Sequence, residues 1–288
     1  MSNKNIKLLL VIFVALMGLL VYKQYAPSLT KETSAYTEKT KVVSPQSVAS
    51  IEINNSSGSM QLKKEGELWK VNGKKADTTK INSLLSALLP GAAPELIAQT
   101  DKRHKELELT DDMATKIKLD SKLTVLTGKS GGSGVYARFD TDSAVYLLKN
   151  NPSVTSTASE WYDKTILTVD KTKITKITVR EGDTIKMLAK DGDKWKAGSK
   201  EVEKNKVDPI LSQVSNLTAQ SFFDATSGNT YPKQANTVIT IEYDGKLESL
   251  EFYKGASDYL VKRQADGEQF IVSEYSISSV ISASKEIL

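Results

Sequence analysis

The chain has 288 residues, enough for two domains of ordinary size, each with a hydrophobic core of its own. Hydrophobic residues make up 39% of it and charged residues 26%, a globular balance that argues against wholesale disorder. There is no cysteine and only one histidine. This excludes disulfides, thiolate metal sites, cysteine nucleophiles, lipid attachment through cysteine and multi-histidine metal sites.

The net charge of +4 is concentrated near the N-terminus. Lys4, Lys7 and Lys23 are three of the 39 basic residues, and the other 36 face 35 acidic residues, a net charge of +1. Binding to nucleic acid requires a basic patch on the protein surface. The balanced charge after residue 25 therefore argues against a nucleic-acid partner.

The first predicted element is a hydrophobic helix at residues 6–26, which read IKLLLVIFVALMGLLVYKQYA. A run of this length, rising about 1.5 Å per residue, predicts a transmembrane helix whose flanking lysines and tyrosines reach the interfaces. A cleaved signal peptide is the competing interpretation, but the segment ends without a small-x-small cleavage pattern. We predict an uncleaved anchor at residues 1–26. Because Lys4 and Lys7 precede the span, we expect the N-terminus to be cytoplasmic and the remainder extracytoplasmic.

Residues 27–47 are rich in Thr, Lys, Ser and Glu and show no apolar periodicity, so we interpret them as a polar tether. An internal repeat follows. Residues 48–89 align without a gap with residues 174–215, and ten of the 42 pairs are identical, among them Trp69 with Trp195. Such self-similarity predicts two related modules, at residues 48–166 and 167–288.

The repeated block reads as three strands followed by a helix. In the first copy, Asp77 or Thr78 can cap a helix whose apolar positions follow the i, i+3, i+4, i+7 rule, and Pro90 ends it. In the second copy, the helix is predicted at residues 204–217, with Pro209 tolerated near its first turn. Four further strands are predicted in each module, at residues 116–119, 123–127, 135–139 and 144–148, and at residues 237–243, 247–253, 259–263 and 270–273. The pattern predicts an α+β fold, in which an N-terminal transmembrane helix precedes two tandem modules of mostly antiparallel sheet with one main helix each. Residues 276–288 are predicted to form a closing helix.

Two loops carry residues that suggest a ligand site. Residues 128–134 contain a GKS triplet, but position 123 is leucine where a phosphate-binding loop needs glycine, and a strand pattern follows, so we predict a hairpin tip. Residues 140–143 read DTDS but lack the continuation of a calcium-binding EF-hand, so we predict a turn.

His104 lies in a charged patch and is interpreted as a solvated side chain, because no nucleophile motif or carboxylate pair accompanies it. Trp69 and Trp195 could form a ligand cleft, although packing against the helix is favoured. Lysines around the first hairpin could touch anionic headgroups, but interleaved acids favour a solvated face. We assign no catalytic, cofactor-binding or metal-binding residue.

Several segments together resemble a bacterial family catalogued as domain of unknown function 4340. They are LKKEGELWKVNGKKADTTKINSLLSAL at residues 62–88, KELELT at 105–110, VYAR at 135–138, AVYLL at 144–148 and EWYDKTI at 160–166. The resemblance covers residues 48–166 well and implies a single-pass protein of the bacterial inner membrane, encoded beside ABC-transporter subunits of the gliding type. The family often has glycine where this chain has Glu108.

The resemblance and the predicted anchor imply a non-enzymatic, extracytoplasmic accessory subunit of an ABC-type transporter. Its expected partners are the bilayer, through residues 6–26, and the permease or ATPase subunits. The alternative is a receptor that binds a lipid or an envelope glycan between the two modules. A third possibility, an envelope hydrolase, would need polar groups that converge around His104 or paired carboxylates.

Overall fold

The computed structural model describes residues 13–21, 35–132, 134–149 and 154–277. The chain folds as two compact units that divide after Asp163. Each unit contains one large antiparallel sheet with one main α-helix in the described residues. The predicted fold of mostly antiparallel sheet with few helices is confirmed.

The first unit contains nine strands and the helix α1 (Thr78–Leu88), which lies between the fourth strand and the fifth. The strands are β1 (Ser50–Asn55), β2 (Gly58–Glu65), β3 (Leu68–Val71), β4 (Lys74–Lys75), β5 (Glu95–Ala98), β6 (Thr115–Leu119), β7 (Leu123–Gly131), β8 (Gly134–Phe139) and β9 (Val145–Lys149). Their order in the sheet is β4-β3-β2-β1-β6-β7-β8-β9-β5. The chain therefore crosses from one edge of the sheet to the other between β4 and β5.

The helix α1 begins where the sequence predicts. The Asp77 carboxylate accepts hydrogen bonds from the backbone N–H groups of Thr79 and Lys80, at 2.9 and 3.2 Å, and so satisfies two free donors of the first turn. The apolar residues of α1 are buried in the main core of the unit, against one face of the sheet. They are Ile81, Leu84, Leu85 and Leu88.

Residues 35–47 differ from the predicted tether, because they pack on the first unit. Residues 35–40 are helical, and Tyr36 and Val43 are buried in the same core as α1. The Tyr36 hydroxyl donates a hydrogen bond of 2.9 Å to the carbonyl of Leu88, at the end of α1. Its ring contacts Phe139 and Tyr146 at centroid distances of 4.7 and 5.0 Å. The sequence pattern missed this segment because its two apolar anchors are seven residues apart among polar ones.

The second unit repeats the strand order of the first. Its sheet contains β11 (Ile174–Glu181), β12 (Thr184–Asp191), β13 (Lys194–Ala197), β14 (Lys200–Val202), β16 (Ser221–Phe222), β17 (Thr237–Tyr243), β18 (Lys246–Lys254), β19 (Asp258–Arg263) and β20 (Gln269–Ser273). The order is β14-β13-β12-β11-β17-β18-β19-β20-β16, which matches the first sheet strand for strand. A separate pair, β10 (Thr165–Thr168) and β15 (Asn216–Thr218), completes the unit.

The helix of the second unit is α2 (Lys204–Val214). It ends three residues before the predicted limit, because residues 216–218 form β15. Pro209 is exposed and lies in the second turn, directly after the first turn near which the sequence analysis tolerates it. The buried residues of α2, Val207, Ile210, Leu211 and Val214, belong to the core of the second unit.

The strand registers show which residues correspond between the units. In the first unit, Ile51 pairs with Leu119, which pairs in turn with Leu123. In the second unit, Ile177 pairs with Ile241, which pairs in turn with Glu248, so Glu248 occupies the position of Leu123. Continued across the sheet, the same comparison aligns Phe139 with Arg263 and Tyr146 with Phe270. Charged residues in the second unit therefore replace apolar ones at one end of the core-facing side of the sheet.

The anchor prediction at residues 6–26 lies mostly outside the described residues, of which 13–21 are helical. Over the described parts of the chain, no helix has both the length and the apolar character needed to cross a membrane. The predicted closing helix at residues 276–288 also lies largely outside the described residues, and the described residues 274–277 are helical.

Candidate functional site

A groove of about 480 Å³ opens in the second unit between the start of α2, the β13–β14 hairpin and the turn at Lys171–Lys173. Its apolar wall consists of Ile174, Trp195, Val202 and Leu211. Its rim carries four lysines and four acids, which are Lys171, Lys190, Lys194, Lys204, Asp193, Glu201, Glu203 and Asp208. Volumes of this size are typical of small-ligand sites, which span roughly 300–1,000 Å³.

Much of the charge on this rim is paired. Lys194 contacts Glu201 at 2.8 Å, and Lys204 contacts Asp208 at 2.7 Å. Lys171 donates a hydrogen bond of 3.3 Å to the hydroxyl of Ser212. The groove therefore presents an apolar wall beneath a rim of mixed charge. Such a site suits contact with an extended or amphipathic ligand, because it offers apolar surface and both signs of charge.

The first unit has a comparable groove of about 460 Å³ beside α1. It is lined by Thr79, Lys80, Ser83, Leu84, Thr155, Glu160 and Trp161. The Trp161 indole donates to the carbonyl of Thr155 at 2.9 Å, and the Lys80 ammonium donates to the carbonyl of Glu160 at 2.6 Å. The segment that follows β9 is thereby held along the helix.

Arg138 is a buried cation that the sequence analysis did not single out. Its guanidinium donates to the carbonyls of Leu109, Phe139 and Asp140 at 2.8, 3.1 and 2.9 Å, and to the Asp111 carboxylate at 2.9 Å. It thus fixes the loop before β6 against the turn after β8. The sequence contained one indication of this buried cation, because the arginine of the VYAR segment lies among apolar strand residues. The burial of its guanidinium could not be predicted, because it depends on a loop from elsewhere in the chain.

His104 is partly exposed and also contacts the protein backbone. Its Nε2 lies 2.9 Å from the carbonyl oxygen of Ser143. The contact joins the turn at residues 101–108 to the predicted turn after β8, which the structure contains at Asp140 and Thr141. His104 therefore has a stabilising contact on a backbone carbonyl.

The glycine-rich loop belongs to the β7–β8 hairpin, as predicted, with the GKS triplet inside β7 at a register shift and the hairpin closing beyond the Gly131–Gly134 pair. A Cβ atom on Gly128 would lie 2.0 Å from the carbonyl oxygen of Leu107, so only glycine fits there. The neighbouring Lys129 N–H donates to the same carbonyl at 3.1 Å. The glycine thus permits close packing of a turn on the strand.

The tryptophans and lysines of the repeated block have structural contacts. Trp69 and Trp195 are buried in the cores of their units, in agreement with the packing interpretation, although Trp195 also lines the second-unit groove. Lys70 pairs with Glu65 at 2.6 Å and Lys75 with Asp163 at 2.7 Å. These ion pairs fit the interpretation of a solvated, charge-balanced face.

The charged replacements in the second unit leave one carboxylate oxygen without a partner. Oε1 of Glu248 is buried and makes no hydrogen bond to the described residues. Burial raises the pKa of the Glu248 carboxyl, the Arg263 cation opposes that rise, and Asp266 adds to it. Arg263 itself donates to the carbonyls of Thr165 and Ile166 at 3.1 and 2.7 Å, and so holds β10 on the sheet.

Within the described part of the chain, no group of three or more His, Asp or Glu residues is placed to hold a metal ion. No curated protein and no solved structure matches the chain. A family model described as "Domain of unknown function (DUF4340)" matches residues 72–236, which is more than half of the chain and includes parts of both units. The chain belongs to this family of unknown function.

Proposed function

We propose that the chain is a non-enzymatic, membrane-anchored accessory subunit of an ABC-type transporter, with the two units outside the cytoplasm. The observation that carries the proposal is the surface of the helix at residues 13–21. All nine residues are exposed and eight are apolar other than glycine, with Phe13 at 63% and Leu20 at 62% exposure. A helix that is apolar on every side needs a lipid or protein environment.

A second observation supports contact with a partner protein. Ile185 and Met187 lie on the face of the second sheet opposite α2, and they are 63% and 42% exposed. Leu247 lies on the same face and is 64% exposed. Of the three, Ile185 and Met187 are neighbours on one strand, and exposed apolar side chains on a sheet face support contact with a partner protein.

The test is affinity purification of the full chain from native membranes in mild detergent. We expect the permease or ATPase subunits of an ABC-type complex to be recovered with it. The matched variant is Ile185→Lys with Met187→Lys, which should keep the protein in the membrane fraction and reduce recovery of the partners. Repeated recovery of the protein alone would contradict the proposal.

The receptor function remains a second candidate because each unit contains a groove of ligand size beside a tryptophan. Native mass spectrometry of the detergent-extracted protein tests this candidate. A bound lipid or glycan that is lost in a Trp195→Ala variant and kept in a Trp161→Ala variant would favour the second-unit groove.

A further inference from the structure

One end of the first sheet, where β7 begins and β8 ends, carries an open depression of about 360 Å³. Its floor includes Leu123 and Phe139, which are both buried. Its rim includes Lys122, Asp140 and Val42, and the valine is 61% exposed. The depression therefore combines apolar surface with charges of both signs.

The segment that carries Val42 is fixed to the first unit on both sides of this valine. Tyr36 is buried before it and Val43 directly after it. The Lys39 ammonium lies 2.7 Å from the Asp142 carboxylate and 5.3 Å from the centre of the Phe139 ring. The exposed valine side chain is thus held at the surface by a packed segment.

The same place in the second unit is polar and charged. The counterparts of the three apolar residues are Thr168, Glu248 and Arg263. The gapless alignment of the two repeats, continued toward the N-terminus through the turn at residues 45–47, gives the first counterpart, and the strand registers give the other two. The unit that directly follows the proposed anchor therefore has the apolar version of this surface.

The chain connection keeps this surface near the bilayer. The packing of residues 35–47 on the first unit shortens the predicted tether, which now ends at residue 34. With the anchor ending at residue 26, the chain from there to residue 35 can span at most about 30 Å, at roughly 3.3 Å per residue. A short connection makes contact with the bilayer intramolecular, at an effective concentration on the order of millimolar, so a small surface is sufficient.

We propose that the surface around Val42 contacts phospholipid headgroups on the outer side of the membrane. The proposal rests on the anchor of the proposed function and names the side of the first unit that faces the bilayer. Val42 enters the boundary between headgroups and acyl chains, where exposed apolar side chains are stabilised. Lys122 and Asp140 contact the phosphate and ammonium groups of the headgroups, because the stem of a lysine lies along apolar surface while its charge stays in the polar layer.

Fluorescence quenching tests the proposal in the full chain, which has no natural cysteine. A fluorophore is attached to a Val42→Cys or a Thr168→Cys variant in vesicles of phosphatidylethanolamine and phosphatidylglycerol that contain a lipid with a nitroxide on its headgroup. We expect about threefold more quenching at position 42 than at position 168, because only the first surface has the apolar side chains that enter the interface. Equal quenching at the two positions would refute the assignment. Protection of position 42 from a soluble quencher without quenching by the lipid would assign the surface to a protein contact and would also overturn it.

A second pair of variants tests whether Val42 itself contributes to the contact. With the fluorophore on Thr141→Cys, at the rim of the depression, Val42→Asp should reduce quenching by the lipid about threefold. The matched control is Met113→Asp, because Met113 is 45% exposed and precedes the opposite end of β6, and it should leave the quenching unchanged. Equal effects of the two substitutions would contradict the proposal.

Flotation of the vesicles separates a failure of this inference from a failure of the proposed function. Protein that floats with the vesicles but shows no lipid quenching at position 42 would overturn the inference alone. Protein that does not float would overturn the proposed anchor, and the inference with it.

Discussion

Replacement of Arg138 by methionine tests whether a single buried cation holds one side of the first unit together. The side chain is 8% exposed, and three of its hydrogen bonds to backbone carbonyls are 3.1 Å or shorter. Methionine keeps the length of the side chain but leaves these carbonyls and Asp111 without their donor.

The expected loss follows from these contacts. A hydrogen bond to a charged group contributes about 1.5–3 kcal/mol, but the contributions are not additive and removal of a buried cation returns part of its desolvation free energy. We expect the free energy of unfolding of the first unit to fall by about 3–5 kcal/mol. With a denaturant slope of about 2 kcal/mol/M, the urea midpoint should fall by about 2 M.

Urea unfolding followed by tryptophan fluorescence measures this loss. In a Trp195→Phe background, only Trp69 and Trp161 report, and both belong to the first unit. The matched control is Arg103→Met, since Arg103 is partly exposed and pairs only with the nearby Glu106 among the described residues. A loss for Arg138→Met no larger than that of the control would refute the reasoning.

Three further substitutions have predicted directions. Glu108→Gly should stabilise the first unit by about 0.5–1 kcal/mol in thermal unfolding, because Glu108 has a φ of +58° at the end of a helical turn, where glycine carries less strain. The control variant Glu106→Gly should not stabilise the unit. Gly128→Ala should destabilise it by about 1–3 kcal/mol through the clash with the turn, and Gly91→Ala, with nothing within 4 Å, should have little effect in the same assay. Glu248→Leu, which introduces the residue type found at position 123, should stabilise the second unit by about 1 kcal/mol at pH 7. The pKa of Glu248 is raised in the folded state, so the native protein loses stability as the pH rises through the folded pKa. The stability advantage of Glu248→Leu should therefore grow from acidic to neutral pH and be absent in acid. An advantage that does not depend on pH would contradict this prediction.

Local patterns predicted the helix α1 and most of the long strands. The alternation in residues 48–53 and 135–139 and the spacing of apolar residues after Asp77 depend on neighbours in the sequence, so they are readable without a structure. The repeat also predicted the second copy of the hairpin around Trp195, where polar residues weaken the alternation.

Features that depend on distant residues were not predictable in this way. The strands β5 and β16 are short and gain their place from β9 and β20, which lie about fifty residues later in each case. Burial of Tyr36 depends on α1, and burial of Arg138 depends on the turn around Leu109. The glycine-rich loop was assigned to a hairpin because position 123 lacks the glycine of a phosphate-binding loop. The close approach of the Leu107 carbonyl, which requires glycine at position 128, could not be predicted from the local sequence.

The crossing from β4 to β5 has a consequence for the kinetics of folding. In each sheet the chain leaves one edge, and a short strand that follows the helix, β5 or β16, pairs at the opposite edge with β9 or β20. The pairing of β5 with β9, or of β16 with β20, can form only after the intervening strands have formed. Closing the long loop between the two paired strands costs entropy before their contacts form. Each unit should therefore fold slowly for its size, with the edge at β5 or β16 ordered last, and stay open to misassociation with neighbouring chains until then.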